Sequence, residues 1–267
     1  MVPANLGAAY RRFWHDVGKS FPDLGGAATT AYYLENEKRL LSEHLPELGR
    51  CAVLKTDLWD EVKNTRILQW MHGRGAAVFG VDISEPIVQQ ARDAFSDAGL
   101  RAAVADVRRL PFRDGSFDAV YSMGTIEHFR DPEVALEEIR RVLRPGGRAV
   151  VGVPNRWDPF LRPLLAAGLQ ALRLYGYGYE RSFSRRALRR MLQSAGFEVV
   201  AETGILFVPG WLRMADLALH SYAPPLARAT AACLKPFAWL DEHVPVVRRH
   251  GYLLASVGVR PASVPAE

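Results

Sequence analysis

The stretch AAVFGVDISEPIVQQARDAFSDAGLRAAVADVRRLPFRDGSFDAVYSM, residues 76–123, decides the fold of this chain. Its apolar runs at residues 76–81, 100–105 and 117–123 predict buried strands, and the helical spacing between the first two runs predicts a helix. A strand, a helix and a strand in succession form the crossover unit that joins parallel strands. The stretch therefore predicts a parallel sheet covered by helices on both faces.

The same alternation continues on both sides of this stretch. Residues 51–55 predict a strand and residues 57–71 a helix. Further along the chain, the pattern predicts strands at residues 148–153, 197–205 and 252–259 and helices at residues 131–143 and 184–195. The chain is therefore predicted to have an α/β, doubly wound, Rossmann-like fold.

Composition narrows the class of protein. The 267 residues are 49% hydrophobic, which is enough for one packed domain with insertions. The two cysteines form neither a disulfide framework nor a zinc pattern, and the first fifteen residues lack a secretory signal, so we expect a reducing, cytoplasmic location. The net charge of +5 is spread out, apart from an arginine cluster within residues 181–190, and no nucleic-acid module is recognisable. We therefore expect no nucleic-acid partner.

The pattern divides the chain into a helical N-terminal part, one large domain and a tail. The predicted divisions are an N-terminal helical cap at residues 1–48, a main domain at residues 49–260 with insertions at about 156–182 and 207–250, and a flexible tail at residues 261–267. We expect the insertions to lie over the carboxyl ends of the strands, where loops carry function.

Two aspartates stand at the ends of successive predicted strands. Asp82 ends the strand in GVDIS, and Asp106 follows the next strand, in AVADV. A carboxylate at the first position can accept hydrogen bonds from both ribose hydroxyls of a nucleoside. One at the second can accept from the exocyclic amine of adenine, with the backbone N–H of Val107 facing a ring nitrogen. Each aspartate alone could equally belong to a turn, but the matched pair favours a nucleoside site.

Three strings resemble one known family. They are GVDIS at residues 80–84, ADVRRLPFRDGSFDAVYS at residues 105–122 and IEHFRDPEVALEEIRRVLRPGG at residues 126–147. Together they resemble class I methyltransferases of the "methyltransferase domain 11" kind. The resemblance implies a seven-stranded sheet with an antiparallel last strand, S-adenosylmethionine as cofactor, and methyl transfer to a small or lipid-like organic acceptor.

The resemblance also assigns cofactor residues. It implies that Asp82 holds the ribose and Asp106 the adenine. We expect Ile83 and Val107, which directly follow these aspartates, and Met123, which ends the fourth predicted strand, to contact the cofactor as well.

The segment after the first strand departs from the family pattern. Residues 54–61 read LKTDLWDE, where the family usually has a glycine-rich loop that lets the cofactor approach the backbone. Either a variant loop still binds the cofactor or the site no longer does. In the first case Lys55 pairs with the cofactor carboxylate, Thr56 donates a hydroxyl and Asp57 accepts from the ammonium, unless Asp57 only caps the next helix. We favour a binding loop, because polar groups packed at a strand end are costly unless they are used.

Glu127 and His128 follow the fourth predicted strand, and the resemblance places them beside the transferred methyl group. A hydroxyl acceptor needs a base, and histidine titrates in the right range, so His128 is the candidate base and methylation at oxygen is expected. Alternatively, the pair only shapes the pocket, or Glu127 contacts the cofactor.

Aromatic residues outside the three strings are candidates for the acceptor site. Tyr32 lies on a predicted lid helix, and Trp157 and Tyr179 lie in the first insertion. Aromatic and aliphatic residues in the insertions could line a pocket for an apolar acceptor, touch a membrane surface, or form a homodimer interface. No histidine cluster has the spacing of a metal site.

Two rival functions remain at the level of sequence. The first is a protein of the same fold that binds a nucleoside ligand or catalyses a non-methylating reaction, which the missing glycines motivate. The second is a dinucleotide-dependent dehydrogenase, which the absence of G-x-G-x-x-G argues against.

Overall fold

Seven strands form one sheet in a computed structural model that describes residues 7–45, 47–96, 99–172 and 176–262. The strands are β1 (Ala52–Lys55), β2 (Ala77–Asp82), β3 (Arg101–Val104), β4 (Phe117–Met123), β5 (Leu143–Pro154), β6 (Glu198–Ile205) and β7 (Leu253–Val259). Their order is β3-β2-β1-β4-β5-β7-β6. Strands β1 to β5 pair in parallel, whereas β7 is antiparallel to both of its neighbours. The predicted doubly wound, Rossmann-like sheet with an antiparallel last strand is confirmed.

Helices cover both faces of this sheet. The helices are α1 (Gly7–Ser20), α2 (Ala28–His44), α3 (Trp59–Lys63), α4 (Ile67–Gly73), α5 (Glu85–Ala94), α6 (Pro132–Val142), α7 (Arg162–Ala171), α8 (Arg185–Ser194), α9 (Gly210–Tyr222) and α10 (Ala227–His243). Successive residues of a strand point to opposite faces, so Val53 packs in one apolar core and Leu54 in the other. Within the described residues, no helix is long and apolar enough to cross a bilayer.

The prediction of one continuous helix at residues 57–71 is wrong. The structure has two short helices, α3 and α4, separated by a turn in which Arg66 has a φ of 58°. The Asn64 side chain holds this turn by donating to Asp60 Oδ1 at 2.7 Å and accepting from Thr30 Oγ1 at 2.7 Å. The break lets buried Glu61 accept the backbone N–H of Leu68 in the first turn of α4.

The N-terminal part of the chain forms two helices where the sequence pattern predicted one. Helix α2 corresponds to the predicted helix and packs on α10, α9 and β6. Helix α1 packs on α5 so closely that a Cβ on Gly18 would lie 2.5 Å from Ser84 Oγ. Of the predicted cap and tail, residues 1–6, 46 and 263–267 lie outside the described residues. The division of the chain into cap, domain, insertions and tail stays a prediction.

Candidate functional site

A cleft lies at the carboxyl edge of the sheet, where the strand order reverses between β1 and β4. It contains about 1200 Å³ of unfilled space, including the open solvent at its mouth. The strand ends supply its floor through Thr56, Asp82, Asp106, Met123, Pro154 and Leu253. The helices and insertions supply its walls through Tyr10, Trp14, Tyr33, Trp59, Tyr177, Glu180, Arg213, Met214 and Leu217. The size and the mixture of aromatic and charged walls suit an organic ligand.

Asp82 is a buried carboxylate on the floor of the cleft. Its Oδ2 accepts the backbone N–H of Leu58 at 2.9 Å, and its Oδ1 accepts that of Ser84 at 2.8 Å. Burial raises the pKa of Asp82 to about 6, although these two hydrogen bonds lower it. A carboxylate oxygen can accept two hydrogen bonds, so both oxygens keep acceptor capacity for a ligand. Asp82 is thus both a turn residue and a cleft residue, and Ile83 beside it also lines the cleft.

Asp106 lines the cleft next to Val107 but already has a cationic partner. Arg108 donates through Nε to Asp106 Oδ1 at 3.0 Å and through a terminal nitrogen to Oδ2 at 2.6 Å. Burial raises the pKa of Asp106, but the hydrogen bonds and charge of Arg108 outweigh it and hold the pKa below its ordinary value. Arg108 therefore keeps this carboxylate ionised and fixed in orientation. Sequence reasoning did not foresee this ion pair.

The glycine-free segment at residues 54–61 turns the side chain of Leu58 away from the cleft. Leu58 is fully buried and lies over Gly80 of β2, where an added Cβ would be 2.3 Å from a Leu58 methyl carbon. The backbone N–H of Leu58 donates to Asp82 instead of facing a ligand. Gly80 on the neighbouring strand therefore makes room for the Leu58 side chain.

Lys55 does not occupy the position predicted for it. Its side chain is 0% exposed, and its ammonium donates to Asp57 at 3.2 Å and lies 3.5 Å from Glu61 Oε1 and 4.0 Å from Asp60 Oδ2. The prediction that Lys55 pairs with a ligand carboxylate is therefore wrong. The physical reason is that three acidic side chains surround the ammonium beneath the cleft floor and already satisfy its charge.

Thr56 and Asp57, which the sequence predicted to contact the cofactor, line the cleft. The hydroxyl of Thr56 donates to Ser122 Oγ at 2.8 Å and lies 3.2 Å from Thr125 Oγ1. Burial raises the pKa of Asp57, while the ammonium of Lys55 lowers it. Lys55 thus supports the cleft indirectly, because it holds the Asp57 carboxylate from below.

His128 lies in the cleft wall with a defined hydrogen-bond partner. Its Nδ1 is 2.7 Å from the carbonyl oxygen of Tyr179, and its ring packs edge-on against Trp14 with centroids 4.9 Å apart. A carbonyl oxygen only accepts, so Nδ1 carries the proton and Nε2 carries the lone pair of the neutral ring. Burial lowers the pKa of His128, which keeps the ring neutral at pH 7.

Glu127 lies beside His128 in a very different electrostatic state. It is buried in the cleft wall, and its Oε2 has no hydrogen-bond partner. Burial, followed by the negative charge of Glu180, raises the pKa of Glu127 well above its ordinary value. This environment disfavours the charged form of Glu127.

The three aromatic residues predicted to contact the acceptor do not line the cleft. Trp157 is 71% exposed. Tyr32 lies on the side of α2 that packs on the apolar core, and Tyr179 contributes only its carbonyl oxygen, to His128. Their neighbours Tyr33 and Tyr177 line the cleft instead. A shift of one position in a helix, or of two in a loop, changes the direction in which a side chain points. Local sequence did not determine which of these neighbouring residues points into the cleft.

Sequence reasoning missed further residues of the cleft wall. Tyr10 and Trp14 come from α1, and their spacing of four places them on one helical face. Arg162 and Arg213 come from the two insertions, and both are buried. The helical spacing in α1 could have been found in the sequence, but no sequence pattern distinguishes a buried arginine from the many exposed ones.

Comparison with known proteins gives a family match over part of the chain. Residues 62–151 match the family model described as methyltransferase domain, and this match begins after the glycine-free segment. The demethylmenaquinone methyltransferase of Thermus thermophilus is 37% identical over 143 residues, which are 47% of this chain and 65% of that protein. The chain spans between 50% and 65% of the length of the first curated relatives that it matches.

Solved structures match over almost the whole chain. A chain from the complex between the Haloferax volcanii Trm112 methyltransferase activator and a methyltransferase has a TM-score of 0.61 at 23% identity, covering 95% of this chain and 96% of that one. The [4+2]-cyclase SpnF has a TM-score of 0.57 at 18% identity, covering 94% of this chain and 93% of that one. At these identities the likeness is one of fold.

Proposed function

We propose that this chain, which contains a class I methyltransferase domain, transfers the methyl group of S-adenosylmethionine to a small or lipid-like organic acceptor, at a hydroxyl oxygen. The observation that carries the proposal is that one cleft joins the strand-end carboxylates Asp82 and Asp106 to the neutral, buried imidazole of His128. The carboxylates suit the adenosine part of the methyl donor, and the imidazole suits removal of a proton from a hydroxyl group.

The residues of the cleft fit this cofactor. Asp82 has acceptor capacity left on both oxygens and would hold the ribose, while Asp106 and Val107 would hold the adenine. Thr56 and Asp57 offer polar groups for the amino-acid part. When bound, S-adenosylmethionine supplies an electrophilic methyl group on a sulfonium centre.

His128 is the proposed base. Its Nδ1–H donates to the Tyr179 carbonyl, which fixes the ring and leaves the Nε2 lone pair for the proton of the acceptor hydroxyl. The bond that forms joins the acceptor oxygen to the methyl carbon, the bond to sulfur breaks, and the hydroxyl proton goes to Nε2. The edge of Trp14 against the imidazole excludes water from this side of the ring.

Binding of the cofactor is the first test. Calorimetry with S-adenosylhomocysteine should show binding by the wild type and at least a tenfold loss in Asp82→Ala, because charged hydrogen bonds contribute about 1.5–3 kcal/mol. Asp114→Ala is the matched control, since it removes an exposed carboxylate. No detectable binding of S-adenosylmethionine or S-adenosylhomocysteine by the wild type would refute the proposal. Circular dichroism must show that Asp82→Ala is folded, because Asp82 also accepts two backbone N–H groups.

Turnover tests the role of His128. With an acceptor identified by transfer of a tritiated methyl group, His128→Gln should lower kcat by roughly 10² to 10⁴ while the affinity for S-adenosylhomocysteine is retained. The pKa of His128 is lowered by burial, so wild-type kcat should fall only as the pH drops below about 6.5. His72→Gln, at the exposed end of α4, is the control. Unchanged turnover in His128→Gln would exclude His128 as the base.

One observation favours a second candidate function. The fold is shared with a [4+2]-cyclase, and in this chain the backbone N–H of Leu58 donates to Asp82 instead of facing the cleft. The chain would then bind the nucleoside cofactor without transferring its methyl group. Binding of S-adenosylhomocysteine together with no methyl transfer to any acceptor in a cell extract would favour this alternative.

Contact with a membrane surface and formation of a homodimer stay predictions. Large apolar side chains are exposed on the insertions, on and before α7 and on α9, and they include Trp157, Leu161, Leu164 and Trp211. Sedimentation with lipid vesicles and light scattering of the free chain would separate the two.

A further inference from the structure

Arg213 is a buried cation in the cleft wall. It lies on α9, is 9% exposed, and has a terminal nitrogen that is buried without a hydrogen-bond partner. In the part of the chain that the structure describes, no carboxylate lies within 4.0 Å of its guanidinium. Burial of an unpaired charge costs several kcal/mol, and an anionic group that arrives with a ligand would offset this cost.

Two tyrosine rings hold the guanidinium in place. Its central carbon lies 5.3 Å from the ring centroid of Tyr33 and 5.8 Å from that of Tyr252. Aromatic faces attract a cation and restrict its position, but they leave the in-plane N–H donors unused. Arg213 is therefore restricted in position and lines the cleft with one terminal nitrogen that lacks a hydrogen-bond partner.

Arg162 provides the contrast within the same wall. It also stacks on Tyr252, at 4.3 Å, but its terminal nitrogen lies 2.6 Å from Glu180 Oε1. The charge of Arg162 is thus balanced inside the protein. Burial and the negative charge of Glu180 raise the pKa of Glu127 well above its ordinary value, which disfavours a competing negative charge at this position.

The position of Tyr252, on which Arg213 stacks, separates this arginine from the nucleoside residues. Its stacking partner Tyr252 directly precedes β7, which is three places from β1 in the strand order. Adjacent strands lie about 4.8 Å apart, so the start of β7 lies roughly 14 Å from the β1 end at Thr56 and farther from Asp82. Arg213 therefore lies on the side of the cleft away from the two residues assigned to the nucleoside, Asp82 and Asp106.

From this arrangement we propose that Arg213 binds a carboxylate, or another planar anionic group, of the methyl acceptor. This inference rests on the proposed function and narrows its substrate class to acidic organic compounds. A guanidinium presents two parallel N–H donors that match the two oxygens of a carboxylate, which gives orientation as well as affinity. The anion would anchor one end of the acceptor while its hydroxyl faces His128.

The test uses the full chain loaded with S-adenosylhomocysteine and two probes of the same shape, benzoate and benzamide. By calorimetry the wild type should bind benzoate on the order of tenfold or more tightly than benzamide, and Arg213→Gln should lose this preference. Arg213→Lys should keep part of it, because it retains the charge but not the forked geometry. Arg190→Gln, on the exposed face of α8, changes the net charge equally and should bind like the wild type.

Three results overturn the inference: no preference for benzoate in the wild type, an unchanged preference in folded Arg213→Gln, or weaker S-adenosylhomocysteine binding in that variant with the preference intact. The last result would assign the arginine to the cofactor. Both probes can also be titrated without S-adenosylhomocysteine. A chain that binds no S-adenosylhomocysteine but keeps an Arg213-dependent preference would therefore refute methyl transfer and retain the anion site.

Discussion

At the scale of single residues, Lys55 shows how a buried charge is kept in this fold. Its ammonium lies beneath the cleft floor and contacts Asp57, Asp60 and Glu61, and burial lowers its pKa less than these carboxylates raise it. The lysine therefore stays charged and offsets the mutual repulsion of the acidic groups. Its contribution to the cleft is to position Asp57.

Removal of this charge should destabilise the protein strongly. We expect Lys55→Met to lower the free energy of unfolding by about 3–5 kcal/mol, because it leaves buried carboxylates without a counter-charge. Urea denaturation followed by circular dichroism measures the change. Lys38→Met removes a surface lysine paired with exposed Glu35 and should cost less than about 1 kcal/mol. Equal effects of the two substitutions would contradict the role given to Lys55.

At the scale of elements, most strands and helices follow from local pattern. The predicted bounds of β1, β2, β4, β6 and β7 agree with the structure to within one residue. Strand β5 instead begins at Leu143, because Leu143 pairs with Phe117 before a shift in register that precedes Arg148. The break between α3 and α4 depends on the hydrogen bond from Thr30, which belongs to a different element and is invisible to local periodicity.

The contact between Gly80 of β2 and Leu58 also joins two elements. Gly80→Ala should lower the free energy of unfolding by about 1–3 kcal/mol, because the added methyl group overlaps the Leu58 side chain. In the Leu58→Ala background, Gly80→Ala should change the free energy of unfolding only slightly. A double-mutant cycle by urea denaturation measures the coupling between the two residues.

Gly73→Ala is the matched control for Gly80→Ala. Gly73 ends α4 with no atom within 4 Å of an added Cβ, so its substitution should be neutral or slightly stabilising. If the changes in the free energy of unfolding caused by Leu58→Ala and Gly80→Ala were additive, Leu58 would not depend on Gly80 for its packing space.

At the scale of the whole molecule, one hydrogen bond links the N-terminal helices to the centre of the sheet. Tyr121 of β4 donates its hydroxyl to Glu37 Oε1 of α2 at 2.6 Å. Burial, followed by the negative charge of Asp60, raises the pKa of Glu37 to about 8. Between the ordinary pKa of glutamate and this value, the folded protein holds a proton that the unfolded chain has lost.

The stability of the wild type should therefore depend on pH through Glu37. Its share of the free energy of unfolding falls as the pH rises from about 5 to 8, with a slope of at most about 1.4 kcal/mol per pH unit for one proton. Glu37→Gln cannot titrate and keeps an oxygen for Tyr121, so its stability should change less over this range. Chemical denaturation at several pH values measures the slopes.

Glu35→Gln, on the exposed side of α2, is the control, and its free energy of unfolding should depend on pH as that of the wild type does. The raised pKa values of Glu61 and Asp82 act with the same sign in all three proteins and cancel in the comparison. Parallel slopes for the wild type and Glu37→Gln would contradict a raised pKa at Glu37.

The sequence by itself determined the sheet, its parallel core and the strand-end positions of Asp82 and Asp106. These features depend on local periodicity and on the rule that parallel strands end at one edge, so each can be found from neighbouring residues. The resemblance supplied the antiparallel last strand, which the structure confirms.

Only the tertiary structure decided which side chains face the cleft. It placed Tyr33 there instead of Tyr32, enclosed Lys55 beneath the floor, and brought Arg213 from the second insertion against a ring of α2. The reason is physical: the phase of a helix, the depth of a charge and the pairing of distant segments depend on packing between elements. That packing is a property of the whole chain, which local pattern does not encode.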